Sequence, residues 1–405
     1  MRSRLLIIVL YLFSLSAFGQ EPQFDFFFGE EGARAYIRLP KGNAKVKAVL
    51  YCHQNMTEEV LFRSQDFCSR MDELGVAMAF IQRGSQNWDV SDGCQERFEM
   101  IMKRFAEGTG HLELESAPII PFGHSAQATF PWNFAAWNPS RTLCIISYHG
   151  DAPRTNLCGY GRANIEWGRT RNIDSIPGLM IMGEYEWWEA RLLPALAFQM
   201  MYPNSRISFL CDAGKGHFDL SVETQIYISK FIAKALADSR PEGGVRYSRW
   251  FEDGMETSDV HDQFWYQDEE MVALTKSRYS DNRGKKMQYV SAKINDKLLV
   301  YDSNKHIKLN AVSDGQEFTL EPVFVDELRN NLSDLHATVR PRVVLISGPA
   351  IQVGDYTFRY DPNYFGKDPM RLWTGITLCI EADGDAIYKS AVQEVNVQVK
   401  TSKAL

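Results

Sequence analysis

The sequence predicts an α/β fold, with a doubly wound, mostly parallel sheet followed by a smaller β-sandwich-like domain. Three observations support this prediction. Apolar runs of strand length alternate with segments of helical periodicity from residue 33 to residue 239. Beyond residue 285 the pattern changes to short runs with period two, separated by turn residues. With 405 residues, of which 45% are hydrophobic, the chain is long enough to bury two cores.

The alternating part divides into strands and helices in turn. Consecutive apolar residues indicate strands, because a parallel sheet is buried on both faces, and apolar residues recurring every three or four positions indicate helices. Asn138-Pro139 ends one of these helices. The predicted strands span 33–40, 45–53, 76–82, 116–125, 141–149, 178–186 and 205–214, and the predicted helices span 58–75, 96–108, 127–139, 189–203 and 222–239.

The predicted organisation has four parts. We expect a signal peptide at 1–19, an α/β domain at 20–244, an aromatic and acidic linking segment at 245–284 and a β-rich accessory domain at 285–405. Residues 261–271 of the linking segment hold three consecutive aromatic residues between acids. They fit either a helix at a domain interface or a lid over a pocket.

Residues 1–19 have the pattern of a secretory signal peptide. Arg2 and Arg4 precede an apolar run, and the small residues Ala17 and Gly19 suggest cleavage after Gly19. The apolar run is shorter than the roughly 20 residues that a spanning helix needs. We therefore expect an exported protein, periplasmic or extracellular, that has no membrane association once the signal peptide is removed.

The net charge argues against some classes of partner, and the cysteine content argues against a disulfide framework or a cysteine metal site. The net charge of −7 becomes −9 without Arg2 and Arg4, which argues against nucleic acid or an anionic membrane surface as a partner. Seven cysteines, an odd number without a C-x-x-C pair, form neither a disulfide framework nor a metal site. Cys68 and Cys94 are the candidate pair for a single disulfide.

A strand-turn-helix junction at residues 121–130 places Ser125 in an unusual position. The serine follows Gly123 and His124 at the end of a predicted buried strand. Further along the chain, Glu186 follows another buried strand, and His217 lies in a glycine-rich loop after the next strand. Because the carboxyl ends of parallel strands meet at one edge of a sheet, we expect these three side chains to lie close together.

This strand-turn-helix, with serine, acid and histidine in that chain order, resembles the α/β-hydrolase family over roughly residues 30–240. The resemblance implies that Ser125 is a nucleophile, that His217 takes its proton and that Glu186 orients the imidazole. Glu186 matches the family's Gly-x-x-acid pattern, which makes Glu184 the more structural of the two glutamates. Asp151, after the preceding strand, is the alternative acid.

The resemblance also implies an oxyanion hole and a substrate pocket. One oxyanion donor should be the backbone N–H of Ala126, and the other should come from the Gln54 backbone or the Asn55 side chain. Two positions depart from the family: His53 is not followed by glycine, and Gln127 replaces the second glycine of G-x-S-x-G. Residues expected to contact substrate are Gln127, His124, Trp187 and Trp188.

The function implied is cleavage of an ester bond through an acyl-enzyme, without a metal or an organic cofactor. The expected substrate is a small-molecule or oligosaccharide ester, with an esterified carbohydrate favoured by the aromatic residues around the site. Two alternatives remain open at this stage. One is a non-catalytic carbohydrate- or partner-binding protein on a hydrolase scaffold, which the two departures from the family favour, and the other is a serine peptidase.

Overall fold

The structure is a computed structural model that describes residues 24–29, 32–42, 45–82, 88–155, 164–186, 188–238, 260–300, 309–364 and 375–400. The predicted signal peptide lies outside these residues, as does the predicted domain boundary at residue 244. None of the described helices combines the length and apolar character needed to cross a bilayer.

The first part of the described chain alternates strands and helices, as predicted. The strands are β1 Phe24–Phe28, β2 Ala33–Arg38, β3 Ala48–His53, β4 Val76–Ile81, β5 Ile119–His124, β6 Ile145–Tyr148, β7 Pro177–Gly183 and β8 Arg206–Asp212. The helices are α1 Met56–Arg63, α2 Gln65–Leu74, α3 Cys94–Thr109, α4 Phe130–Trp137, α5 Trp188–Met201, α6 Val222–Ala237 and α7 Glu269–Arg278.

These eight strands form one sheet in the order β1-β2-β4-β3-β5-β6-β7-β8. In this order, every pair of neighbouring strands from β4 to β8 is parallel. The pairs β1-β2 and β2-β4 are antiparallel. Helices cover both faces, with Leu50 of β3 in one core and Val49 in the other. The predicted α/β fold class is therefore confirmed, although the sequence patterns did not reveal β1.

The single helix predicted for residues 58–75 is wrong, because the chain breaks at Ser64 into α1 and α2. Ser64 has extended backbone angles, and its hydroxyl accepts the Phe67 N–H at 3.4 Å and so caps α2. The same hydroxyl donates to Gln225 of α6 at 2.7 Å. A serine that can cap a new helix allows the chain to turn here without losing backbone hydrogen bonds.

The three consecutive aromatic residues 264–266 lie against the edge strand β8. All three are buried, and the Trp265 N–H donates to the Ile207 carbonyl at 2.9 Å. The Tyr266 hydroxyl donates to the Phe209 carbonyl at 2.7 Å. The lid interpretation is therefore wrong, because this segment packs on the edge strand β8. It covers a sheet edge that could otherwise pair with other chains.

The C-terminal region contains two further sheets, which fit the predicted β-rich domain. Their orders are β10-β9-β12-β15-β14 and β11-β17-β16-β13, and one apolar core lies between them. Their strands are β9 Tyr289–Ile294, β10 Lys297–Leu298, β11 Leu309–Ser313, β12 Glu317–Val325, β13 Arg342–Ser347, β14 Ala350–Gln352, β15 Thr357–Tyr360, β16 Ile376–Ala382 and β17 Ala391–Val399.

The disulfide considered for Cys68 and Cys94 does not form. Both are free, buried thiols. Cys68 belongs to the core on one face of the large sheet and Cys94 to the core on the other, so the sheet separates them. The thiols therefore act as small apolar core groups.

Candidate active site

Ser125 occupies a strained turn between β5 and α4. Its φ angle of +53° lies in the left-handed region, which typically costs a residue other than glycine about 1–3 kcal/mol. Gly123 makes the turn possible, because a Cβ atom there would come 2.0 Å from the Gln127 carbonyl oxygen. The turn leaves Ser125 half-buried at the carboxyl end of β5, the position expected for a nucleophile elbow.

Ser125, His217 and Glu186 form a continuous chain of hydrogen bonds. His217 Nε2 lies 2.7 Å from Ser125 Oγ, and its Nδ1 contacts Glu186 Oε1. Because the Glu186 carboxylate only accepts, Nδ1 carries the proton and Nε2 accepts the serine hydroxyl. This arrangement gives the imidazole the tautomer that a general base for Ser125 requires.

Glu186 is held as a charged acceptor. Burial alone would raise the pKa of this carboxyl above its ordinary value of 4.5. His149, the His217 hydrogen bond and the Gly183 N–H together outweigh burial and lower the pKa to about 2. The Gly183 N–H donates to Oε2 at 2.8 Å, and His149 Nδ1 lies 3.2 Å from the same oxygen. Glu186 is therefore ionised throughout the neutral range.

The alternative acid, Asp151, is wrong on geometry. Its side chain is fully buried, and its oxygens contact Arg191 at 2.7 Å and Thr129 at 3.1 Å. The Asp151 backbone carbonyl also accepts the indole N–H of Trp132 at 2.6 Å. Asp151 therefore stabilises the packing of α4 and α5 around the end of β6.

Two buried histidines hold the main chain of His217. His124 Nε2 and His149 Nδ1 both donate to the His217 carbonyl oxygen, at 2.9 and 2.8 Å. Both rings are 0% exposed, which excludes the substrate contact predicted for His124. Burial lowers the pKa of His149, and the negative charge of Glu186 offsets part of this decrease. His149 was not among the predicted site residues, although its place directly after β6 was an available signal.

The three imidazoles also form a group that could hold a metal ion. Each ring offers a nitrogen, and these nitrogens lie within 4.8 Å of one another. Hydrogen bonds to the His217 carbonyl already use one nitrogen of His124 and one of His149. In this structure, the rings of His124 and His149 fix the position of His217.

The start of α1 fixes both backbone groups of His124, the residue before the serine. Asn55 Nδ2 donates to the His124 carbonyl at 2.7 Å, and Glu58 Oε1 accepts the His124 N–H at 2.6 Å. Burial raises the pKa of the Glu58 carboxyl to about 8. Glu58 is therefore a protonated, buried acid at neutral pH, and sequence reasoning did not identify it.

The expected oxyanion donors need a correction. The Gln54 N–H donates to the Ile81 carbonyl at 2.8 Å within the sheet, and the Asn55 side chain is engaged with His124. The Gln54 N–H is therefore not available as predicted. The Asn55 amide has a second N–H, so its role as a donor stays a prediction. The Ala126 N–H lies in the first turn of a short 3-10 helix, where backbone donors have no intrahelical acceptor. Among the described residues, no acceptor takes the Asn55 backbone N–H.

The predicted substrate contacts are mostly buried or outside the described residues. Gln127 is 4% exposed, so its side chain packs inside the protein and does not enter an open pocket. Two tryptophans on neighbouring segments, Trp132 and Trp167, which were not predicted to contact substrate, are core residues whose indole N–H groups bond internally. Trp187 and the side chain of Trp188 lie outside the described residues.

Comparison with known proteins adds structural similarities only. Neither the protein-family models nor the curated proteins give a match. Similar solved structures include Est1E from Butyrivibrio proteoclasticus, a thermostable carboxyl esterase from Bacillus coagulans and a soluble variant of monoglyceride lipase from Saccharomyces cerevisiae. Their identities are 16%, 12% and 10%, with TM-scores of 0.36, 0.38 and 0.38. They cover 53%, 53% and 56% of this chain and 99%, 98% and 98% of their own.

The sheet order and the serine turn are those of the α/β-hydrolase fold. Serine, acid and histidine follow β5, β7 and β8 in the chain order that is usual for this fold.

Proposed function

We propose that the protein is an exported serine hydrolase that cleaves an ester bond through Ser125, His217 and Glu186. The observation that supports this most strongly is the continuous hydrogen-bond chain from Glu186 through His217 to the strained Ser125. A serine hydroxyl is a weak nucleophile at neutral pH, and this chain supplies the base that activates it. The signal-like residues 1–19 support export.

The proposed reaction has two halves. Ser125 Oγ attacks the ester carbonyl while its proton passes to His217 Nε2, and the imidazolium then protonates the departing alcohol. Water attacks the resulting acyl-serine with His217 again as base, which releases the acid and restores the hydroxyl. Glu186 stays ionised and stabilises the imidazolium in both halves. The backbone N–H groups of Ala126 and Asn55 are the proposed donors to the oxyanion.

The proposed substrate is a small-molecule or oligosaccharide ester. The net charge of −7 favours a neutral or cationic ester over an anionic one. The esterified carbohydrate expected from the sequence depends on Trp187 and Trp188, which directly follow Glu186. Hydrolysis of acetylated and feruloylated oligosaccharides, compared with short acyl esters, would identify the alcohol and acyl parts.

A non-catalytic binding protein remains the second candidate because Gln127 replaces the family's glycine. Hydrolysis of p-nitrophenyl acetate separates the two. We expect turnover by the wild type, and a loss of roughly 10⁴- to 10⁶-fold in kcat for Ser125→Ala. Ser91→Ala removes an exposed hydroxyl from the short 3-10 helix Val90–Asp92 and should retain wild-type kcat. Equal, negligible rates for the wild type and Ser125→Ala across the ester panel would favour the binding protein.

A further inference from the structure

An ion pair connects the C-terminal β region to the turn that carries Glu186. The Lys389 ammonium contacts Glu184 Oε1, and only 9% and 13% of the two side chains are exposed. Glu184 directly follows β7 and stands two residues before Glu186. Because the pair is largely shielded from water, its attraction is stronger than that of a surface ion pair. Lys389 thus holds the beginning of the Glu186 turn.

The same carboxylate also holds the loop that carries His217. Glu184 Oε2 accepts the Gly214 N–H at 2.9 Å, three residues before His217. The carbonyl of Ser390, next in the chain to Lys389, packs directly on Gly214, where a Cβ atom would come 2.0 Å from that oxygen. Gly214 also has φ of +73°, which glycine adopts without strain. The loop before His217 is therefore in contact with both Glu184 and the β region.

The segment that supplies Lys389 is itself firmly attached to the β region. Gln288 Nε2 donates to the carbonyls of Asp383 and Lys389, at 3.0 and 2.7 Å. The Lys286 N–H donates to the Ile387 carbonyl at 2.8 Å, and the Lys286 carbonyl accepts the Lys389 N–H at 2.9 Å. The position of the Lys389 side chain is thus determined by the β region, and it sets the position of Glu184.

We propose that Lys389 is a positioning residue for the hydrolytic site, acting through Glu184 on the loops of Glu186 and His217. This inference rests on the proposed function and deepens it, because it gives the C-terminal β region a part in catalysis. A serine, an imidazole and a carboxylate must meet in one geometry, and a displacement of about 1 Å can slow a reaction on the order of 100-fold. Without Lys389, both loops lose a common support.

Lys389→Met tests the proposal, because it keeps most of the side-chain length and removes the charge. We expect kcat for p-nitrophenyl acetate to fall on the order of 10- to 100-fold, with KM nearly unchanged. Lys389→Arg should restore most of kcat. Lys234→Met is the matched control, since Lys234 pairs with Asp268 and Glu270 near the far end of α6. It should leave kcat at the wild-type value.

A double variant separates lost positioning from misfolding. Lys389→Met leaves the Glu184 charge buried without its partner, which can destabilise the fold. Glu184→Gln/Lys389→Met removes both charges and keeps an oxygen that can accept the Gly214 N–H. We expect this variant to fold, as judged by circular dichroism, and still to show reduced kcat. Wild-type kcat in both folded variants, or an equal loss in Lys234→Met, would overturn the proposal.

A second readout separates this inference from the proposed function. The hydrogen bond between His217 Nδ1 and Glu186 should give a far-downfield proton resonance whether or not an ester is turned over, assigned by its absence in His217→Gln. We expect it in the wild type and Lys389→Arg, and its loss or broadening in Lys389→Met. This pattern without any ester hydrolysis would mean that only the proposed function fails. Ester hydrolysis with an unchanged resonance in Lys389→Met would mean that only the inference fails.

Discussion

Replacing Glu58 by glutamine should make the stability of this protein less dependent on pH. Glu58 is fully buried at the start of α1, and its Oε1 accepts the His124 N–H at 2.6 Å. Glutamine keeps the size of the side chain and an oxygen that can accept this hydrogen bond. Glu58→Gln therefore removes only the ability of this position to become charged inside the core.

The magnitude follows from the pKa of the buried carboxyl. Burial raises the pKa of Glu58 from 4.5 to about 8, although backbone N–H groups that donate to it oppose the rise. The folded protein thus holds this proton more tightly than the unfolded chain. This tighter binding of the proton stabilises the folded protein at low pH. The free energy of unfolding therefore decreases as pH rises from 4.5 to about 8, and above about 8 this contribution is gone. At 1.36 kcal/mol per pH unit, the loss is on the order of 5 kcal/mol at most.

Urea unfolding of the wild type and Glu58→Gln at pH 5, 7 and 9, followed by tryptophan fluorescence, measures this effect. We expect similar stability at pH 5 and a growing advantage of the variant at pH 7 and 9. Glu107→Gln is the control, because that side chain is 62% exposed on α3. It should follow the wild type. A Glu58→Gln curve parallel to the wild type at all three pH values would refute the reasoning.

Other substitutions should affect activity or folding in different ways. Glu186→Gln should lower kcat about 10⁴-fold because glutamine no longer fixes the imidazole tautomer. Asp151→Asn should keep kcat and lower Tm. Steady-state ester hydrolysis and calorimetry measure both quantities, and a large loss of kcat in Asp151→Asn but not in Glu186→Gln would contradict the assignment. His149→Phe keeps an aromatic ring but removes its contacts with the His217 carbonyl and with Glu186, so kcat should fall about 10- to 100-fold at constant KM. Gly123→Ala should not fold, because its Cβ would meet the Gln127 carbonyl, and a native circular dichroism spectrum would contradict this.

The arrangement of the site was predictable where it depends on strand ends. Ser125, Glu186 and His217 each follow a buried parallel strand, and parallel strands end at one edge of the sheet. The type of residue at each strand end then suggested a role.

Features that depend on distant partners were not predictable. Gln54 was a reasonable oxyanion donor until the sheet showed that its N–H pairs with the Ile81 carbonyl. Similarly, Gln127 was expected in a pocket, whereas packing buries its side chain. Glu58 contacts a residue 66 positions away, and the local pattern carries no signal for that contact. The place of His149 directly after β6 was a signal for a site residue, but its hydrogen bond to His217, 68 positions away, was not readable from the sequence.

The central claim is that Ser125 is a nucleophile activated by His217 and Glu186, and covalent labelling tests it most directly. The protein is incubated with a fluorophosphonate, and the adduct is located by mass spectrometry of its peptides. We predict one phosphonyl group on Ser125 in the wild type, with greatly slowed labelling in His217→Gln and none at this position in Ser125→Ala. An unmodified Ser125 in the folded wild-type protein, or equal labelling rates with and without His217, would contradict the account.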